Sequence, residues 1–169
     1  MRGVARALTP YELDHLGVSA ALEAMIEAVD ETTEIVVHDE VDDIDGLLPK
    51  ESEINLYRIV QEALNNLVRH SGAAAATVRI RREGEVIRLT VEDDGRGFAV
   101  RRDAEGRVAG GFGLSGMAER VRILDGRIEV ESGVGRGTRV EVVVPVRGGG
   151  ERAGRPDGNA DPVEHPTSS

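Results

Sequence analysis

The sequence predicts an α+β two-layer sandwich, in which helices cover one face of a mixed, mostly antiparallel sheet. Two observations support this fold class. Some segments carry apolar residues at the 3.6-residue spacing of amphipathic helices, and others alternate apolar and polar residues as half-buried strands do. Short turns join most of these strands, which is typical of hairpins. A chain of 169 residues is about one domain at roughly 100–200 residues each.

Three segments are predicted helices, and five are predicted strands. The first helix follows Gly17, where apolar residues recur at positions 0, 3, 4, 7, 8 and 11 from Val18. The other helices are residues 51–70, which Ser71-Gly72 ends, and residues 115–124. The predicted strands are residues 34–38, 76–82, 86–93, 127–132 and 137–146, and the glycine-rich residues 95–113 are predicted to form a loop.

Composition excludes several functional classes. The net charge of −10 and the four aromatic residues argue against a nucleic-acid binder. The single lysine, Lys50, follows no glycine-rich loop, so the chain lacks a phosphate loop of the Gly-x-x-x-x-Gly-Lys type. The absence of cysteine excludes disulfides, and no apolar run approaches the ~18 residues of a membrane span.

Charge is spread unevenly along the chain. Residues 1–50 hold 3 basic and 12 acidic side chains, which form either a partner surface or a solvated face. Residues 148–169 are rich in Gly, Pro, Ser and Asp, and we expect them to be a disordered tail.

Polar residues on the second helix form one column. Glu62, Asn66 and His70 lie at i, i+4 and i+8, with Arg69 beside them. A carboxylate, a carboxamide, a cation and an imidazole on one face are suited to a metal and a phosphate chain. A solvated helix face is the alternative interpretation.

Asp93 interrupts the apolar face of a predicted strand. The two-residue period that turns Leu89 and Val91 inward also turns Asp93 inward, where a carboxylate needs hydrogen-bond donors. Gly95 and Gly97 then allow the backbone to approach another group closely. The alternative is an Asp-Gly turn at the end of the strand.

Thr138 is likewise a polar residue on the apolar face of the last predicted strand. It shares a face with Val140 and Val142, so its hydroxyl needs a partner there, and a main-chain group is the alternative to a ligand. The glycine-rich segment 110–116 runs directly into a helix, whose free N–H groups attract anions, although a mobile loop is also compatible with it.

Taken together, these segments resemble the GHKL ATPase superfamily of gyrases, heat-shock chaperones, histidine kinases and mismatch-repair ATPases. Residues 56–71 (LYRIVQEALNNLVRHS) resemble the N box of the histidine kinases that pair with helix-turn-helix response regulators. Residues 91–98 (VEDDGRGF) and 110–121 (GGFGLSGMAERV) resemble the two glycine boxes, and residues 133–138 (GVGRGT) the closing motif. Residues 8–22 (LTPYELDHLGVSAAL) resemble the segment that precedes the ATPase domain.

The resemblance implies a GHKL-type ATPase fold that binds ATP and Mg²⁺. It implies that Asn66 is the Mg²⁺ ligand, that Asp93 accepts the adenine amino group and that Thr138 helps to hold the base. Arg69 would contact the phosphates, and Glu62 would stand where hydrolysing relatives keep their base. The implied catalytic set is Glu62, Asn66 and Arg69. The implied nucleotide-binding set is Asn66, Arg69, His70, Asp93, Gly95, Gly97, Phe98, Gly111, Phe112, Gly113, Leu114 and Thr138, with residues 98–110 as a mobile lid.

The resemblance also implies partners. In this subfamily the phosphoacceptor histidine lies on a helix upstream of the position of residue 8. We therefore expect residues 1–17 to be a linker remnant following an absent phosphoacceptor domain, and residues 18–147 to be the ATP-binding domain. The expected partners are a phosphoacceptor (dimerisation) domain and, through it, a response regulator, with no nucleic acid and no direct membrane contact. A cytoplasmic location is expected, and a full-length kinase can carry a membrane anchor elsewhere.

The resulting prediction is a catalytic domain that transfers the γ-phosphoryl group of ATP to a histidine on a separate domain or chain. One alternative is a serine kinase that sequesters a sigma factor. Another is a nucleotide-sensing interaction module without transfer activity, whose acidic first half docks a partner.

Overall fold

A computed structural model describes residues 10–146, in which five strands form one mixed sheet. In spatial order these are β1 (Val36–Val41), β2 (Ala75–Glu83), β3 (Val86–Asp93), β7 (Thr138–Pro145) and β6 (Arg127–Ser132). β1 runs parallel to β2, and every other neighbouring pair is antiparallel. The remaining strands, β4 (Arg101–Arg102) and β5 (Val108–Ala109), pair only with each other.

The helices of the described chain are α1 (Pro10–Leu16), α2 (Val18–Thr32), α3 (Lys50–Asn66) and α4 (Leu114–Ile123). α3 continues into one π-helical turn, Leu67–Ser71, which ends at Gly72 with a left-handed φ of 60°. None of the helices between residues 10 and 146 combines the length and the apolar character needed to cross a membrane.

The core lies between the sheet and the helices. From the sheet, Val78, Ile80 and Leu89 are fully buried, and α3 contributes Leu56 and Ile59. This packing follows from the sequence, because the alternating residues of the strands and the apolar stripes of the helices present one face each. The predicted α+β two-layer fold is confirmed.

The opposite face of the sheet carries ion pairs. Arg81 contacts Glu40 and Asp42, and Arg88 lies 2.8 Å from both Glu83 and Glu141. Antiparallel sheets commonly leave one face solvated in this way. Because ion pairs occupy this face, the apolar surfaces of the sheet lie on its helical side.

Several elements differ from the sequence-based expectation, among them the last turn of the predicted helix 51–70, which is π-helical from Leu67 to Ser71. β1 begins two residues later than predicted and extends to Val41, because it pairs along its length with β2 up to Ile80. The predicted loop 95–113 contains the β4–β5 hairpin. The expected linker contains α1, whose Leu13 is buried in the same core.

We predict that Leu89→Ala lowers the free energy of unfolding by about 2–5 kcal/mol, because it opens a cavity where the side chain is fully buried. Leu16→Ala is the matched control, since Leu16 is 51% exposed, and its effect should stay within about 0.5 kcal/mol. Urea unfolding measures both variants. Equal losses would contradict the assignment of the core.

Candidate functional site

A cavity of about 110 Å³ opens at the ends of β3 and β7. It lies between the π-helical turn and the beginning of α4. Its apolar lining consists of Ala63, Leu67, Val91, Phe98, Phe112, Leu114 and Val140. Polar side chains from α3 and its π-helical turn, from β3, from the loop after β3 and from β7 reach the same cavity. They include Asn66, His70, Asp93, Arg96 and Thr138. An apolar pocket with a few convergent polar groups is the usual form of a small-molecule site.

Asp93 lies at the junction of the two central strands, opposite Thr138 in the register of β3 and β7. Its carboxylate accepts hydrogen bonds from the backbone N–H groups of Gly95, at 2.8 Å, and Thr138. Burial raises the pKa of this carboxyl above its usual value, these two backbone donors oppose the shift, and the nearby charges of Asp94 and Glu92 add to it. The two alternatives drawn from the sequence, an Asp-Gly turn and an inward-facing carboxylate, are therefore both present in the structure.

Gly95 is needed here because no side chain fits. A Cβ atom at Gly95 would overlap the backbone oxygen of Ser71. The neighbouring Arg96 N–H donates to that same oxygen at 2.8 Å. This contact ties the loop after β3 to the end of the π-helical turn and fixes one wall of the cavity.

Ser132 is a polar residue of this region that the sequence interpretation missed. Its hydroxyl lies 2.9 Å from the Thr138 hydroxyl, 2.9 Å from the Gly137 oxygen and 2.9 Å from the Phe98 N–H, which donates to it. The alternating pattern of β6 could have identified Ser132, because the two-residue period that turns Val130 inward also places Ser132 on that side. Val130 is indeed buried.

The π-helical turn places Asn66 and His70 on the same cavity wall. The turn is held by the Ser71 hydroxyl, which donates to the Leu67 oxygen at 2.5 Å and accepts from the Ala73 N–H at 3.0 Å. Single π-helical turns within α-helices occur often at functional sites.

An aromatic cluster closes part of the cavity mouth. The centroid of the Phe112 ring lies 4.4 Å from the centroid of the His70 ring and 5.5 Å from that of the Phe98 ring. Phe112 has a φ of 62°, which is uncommon for a residue with a side chain, and it stays 44% exposed. Such strain indicates a local conformation that its surroundings hold in place.

The N-terminus of α4 faces Glu62 of α3. Gly113, with a φ of 69°, precedes this helix, and no side chain caps it. A Cβ atom at Gly113 would overlap the Glu62 carboxylate. The first N–H groups of a helix have no partner within the helix, so this end offers donors and a positive dipole to an anion.

The structure brings most of the predicted site residues to the cavity. Its lining includes Asn66, His70, Asp93, Gly97, Phe98, Phe112, Leu114 and Thr138. Gly95 and Gly113 lie directly behind it, and Glu62 contacts Gly113. Arg69 is exposed and does not line the cavity, and Gly111 has no neighbour within the reach of a Cβ atom.

Comparison with known proteins relates the chain to one family. Residues 51–148 match the model of histidine kinase-, DNA gyrase B- and HSP90-like ATPases. Sensor histidine kinase LiaS of Bacillus subtilis is 36% identical over 146 residues, which cover 86% of this chain and 39% of LiaS. Sensor histidine kinase ComP of the same organism is 34% identical over 85% of this chain and 18% of ComP. The chain thus spans less than half the length of either relative.

Solved structures show the same architecture. The histidine kinase domain of the Erythrobacter litoralis EL346 blue-light activated histidine kinase superimposes with a TM-score of 0.64 and 28% identity, covering 80% of this chain and 69% of that one. The Acinetobacter baumannii histidine kinase AdeS, at 16% identity, is alike in fold, with a TM-score of 0.56 and coverage of 76% of this chain and 63% of AdeS.

We predict that Asp93→Asn raises the melting temperature at pH 7. A carboxyl whose pKa is raised by folding stabilises the folded state at low pH, and this contribution is lost as pH rises through the raised pKa. The advantage of the variant should therefore shrink from neutral pH toward pH 4. Thermal unfolding from pH 4 to 8 measures it, with Glu129→Gln as control, since Glu129 is exposed on β6 and does not contribute to the pKa shift of Asp93. A variant less stable than wild type at every pH would contradict the prediction.

Proposed function

The chain belongs to the histidine kinase-, DNA gyrase B- and HSP90-like ATPases, and from this we propose that it is the ATP-binding catalytic domain of a two-component histidine kinase. It would transfer the γ-phosphoryl group of ATP to a histidine on a separate domain or chain. The observation that carries the proposal is the half-buried Asp93 carboxylate in a largely apolar cavity beside the uncapped end of α4.

Adenine is the base that this cavity would select. An ionised carboxylate only accepts hydrogen bonds, and two backbone donors leave some of its lone pairs free to accept from a ligand. The amino group of adenine is such a donor, whereas guanine carries a carbonyl oxygen at the equivalent ring position. The Thr138 hydroxyl, held by Ser132, would orient the base, and Val91, Leu114 and Val140 would cover its faces.

The phosphates would extend from the cavity toward α4, whose N-terminal N–H groups offer an anion site. Gly95, Gly97, Gly111 and Gly113 would let the backbone close on the nucleotide. Phe98, His70 and Phe112 would flank it, with residues 98–110 as the lid. We propose that Arg69 contacts the phosphates after a change in its position, since it is exposed and does not line the cavity here.

Asn66 fits a Mg²⁺ site that needs few protein ligands. Within residues 10–146 no group of three or more acidic or histidine side chains is arranged to hold a metal ion. The Asn66 amide oxygen would therefore share the ion with phosphate oxygens and water, as Mg²⁺ commonly allows. When bound, the ion would neutralise phosphate charge during transfer. Glu62, beside Gly113, would stand near the transferred group.

The proposed partners are a phosphoacceptor (dimerisation) domain and, through it, a response regulator. The relatives LiaS and ComP are sensor histidine kinases, which supports this choice over a serine kinase or a nucleotide-sensing module. We propose that residues 1–17 are the linker from such a domain, and that the ATPase domain works in the cytoplasm. The tail predicted at residues 148–169 lies outside the described residues.

A transfer assay tests the proposed function. The acceptor is LiaS truncated before the segment that matches this chain, supplied with radiolabelled ATP and Mg²⁺. The wild-type chain should label it with an acid-labile, base-stable phosphate, as phosphohistidine is. Asn66→Ala should lower the rate at least about tenfold, because the metal loses its protein ligand. Asn65→Ala is the control, since Asn65 does not line the cavity.

Two results of this assay would contradict the proposal. Label on a serine would favour the sigma-factor kinase, and no labelling together with intact ATP binding would favour the sensing module. A normal transfer rate for Asn66→Ala would exclude Asn66 as a ligand of Mg²⁺.

We predict that Asp93→Asn lowers the affinity for ATP at least about tenfold and abolishes the preference for ATP over GTP. The amide presents an NH₂ group as well as an oxygen, so it no longer rejects the guanine carbonyl. Calorimetry with both nucleotides measures this, and Glu129→Gln, an exposed variant on β6, should behave as wild type. Equal affinity of the wild-type chain for ATP and GTP would disprove the adenine assignment.

A further inference from the structure

A second cleft lies between α3 and α4, on the outer side of the contact between Glu62 and Gly113. Arg58 from α3 and Arg120 from α4 both line it. We call it the arginine cleft. The lining also contains the Glu62 carboxylate, so two cations from separate helices outnumber one acidic group there, in a protein whose net charge is −10.

Both guanidinium groups are held without being neutralised. Arg58 donates to the side-chain oxygen of Gln61 at 2.9 Å, and Arg120 donates to that of Asn55 at 3.3 Å. Across residues 10–146, neither forms an ion pair with a carboxylate. Many other arginines do, among them Arg79, Arg81, Arg88, Arg107, Arg122 and Arg139. A carboxamide orients a guanidinium and leaves its charge available to an incoming anion.

The cleft is placed beside the proposed reaction. Arg58, Glu62 and Asn66 follow each other at i, i+4 and i+8 along α3, so Arg58 lies about 12 Å along the helix axis from Asn66. Gly113 begins α4 at the wall shared with Glu62, and Arg120 lies two turns further along. A group bound between the two arginines would therefore lie about two helical turns from Asn66, the proposed Mg²⁺ ligand.

From these observations we infer that the arginine cleft docks an acidic side chain of the phosphoacceptor domain, so that its histidine is held in line with the γ-phosphoryl group. The inference rests on the proposed function and names the contact through which the acceptor is recognised. A planar guanidinium binds a carboxylate through two parallel hydrogen bonds, which fixes orientation as well as position. Correct placement of a nucleophile contributes greatly to transfer rates.

The test uses Arg58→Gln, Arg120→Gln and the double variant in the transfer assay with truncated LiaS, at varied acceptor and salt concentrations. The double variant should raise the KM for the acceptor at least about tenfold, because two charge-assisted hydrogen bonds are lost. Its affinity for ATP should stay within about twofold of wild type. The acceptor KM of the wild-type chain should rise with salt more steeply than that of the double variant.

Arg122→Gln is the matched control. It removes the same charge from α4, but Arg122 is exposed, pairs with Glu119 at 2.6 Å and does not line the cleft. Its acceptor KM should equal that of wild type. Thermal unfolding verifies that all variants are folded.

Three outcomes would overturn the inference. An unchanged acceptor KM in the double variant excludes docking at the cleft. A loss of ATP affinity with an unchanged acceptor KM assigns the two arginines to the nucleotide instead. Failure of the wild-type chain to label the acceptor contradicts the proposed function itself, and the inference with it.

Discussion

The register between β3 and β7 is the constraint on which the cavity depends. It sets Asp93 opposite Thr138 and, in the same ladder, Leu89 opposite Val142. A shift of one residue would turn every side chain of β3 to the other face, moving Leu89 out of the core and Asp93 out of the cavity. Burial of apolar side chains therefore holds a carboxylate in a place that it would not occupy by itself, since desolvation disfavours its charged form.

At Asp93, a cost in stability accompanies a carboxylate that can still accept a hydrogen bond. The Asp93 carboxylate is compensated only in part by the backbone N–H groups of Gly95 and Thr138, and its pKa stays raised. A ligand that donates a hydrogen bond would complete this compensation. Along α3 the character of the side chains then changes in steps of four residues, from the Asn66 amide at the cavity to the Glu62 carboxylate and the Arg58 cation. In the proposed function, one helix face would serve the nucleotide at one end and an incoming partner at the other.

Periodicity predicted the elements well, because burial against one core imposes one period on each segment. It identified Asp93 and Thr138 as inward-facing polar residues, and both line the cavity. It could not predict the π-helical turn, whose hydrogen bonds leave no periodic signal, or the β4–β5 hairpin of two-residue strands. Arg58 and Arg120 line one cleft because α3 packs against α4, and no local sequence pattern encodes this packing.

The most direct measurement is a crystal structure of the chain with Mg²⁺ and a non-hydrolysable ATP analogue. The account predicts the adenine amino nitrogen within about 3.2 Å of the Asp93 carboxylate and the metal about 2.1 Å from the Asn66 amide oxygen. It also predicts phosphates at the N-terminus of α4, with the γ-phosphoryl group turned toward the cleft of Arg58 and Arg120. A base bound away from Asp93, or a nucleotide outside the cavity, would contradict it.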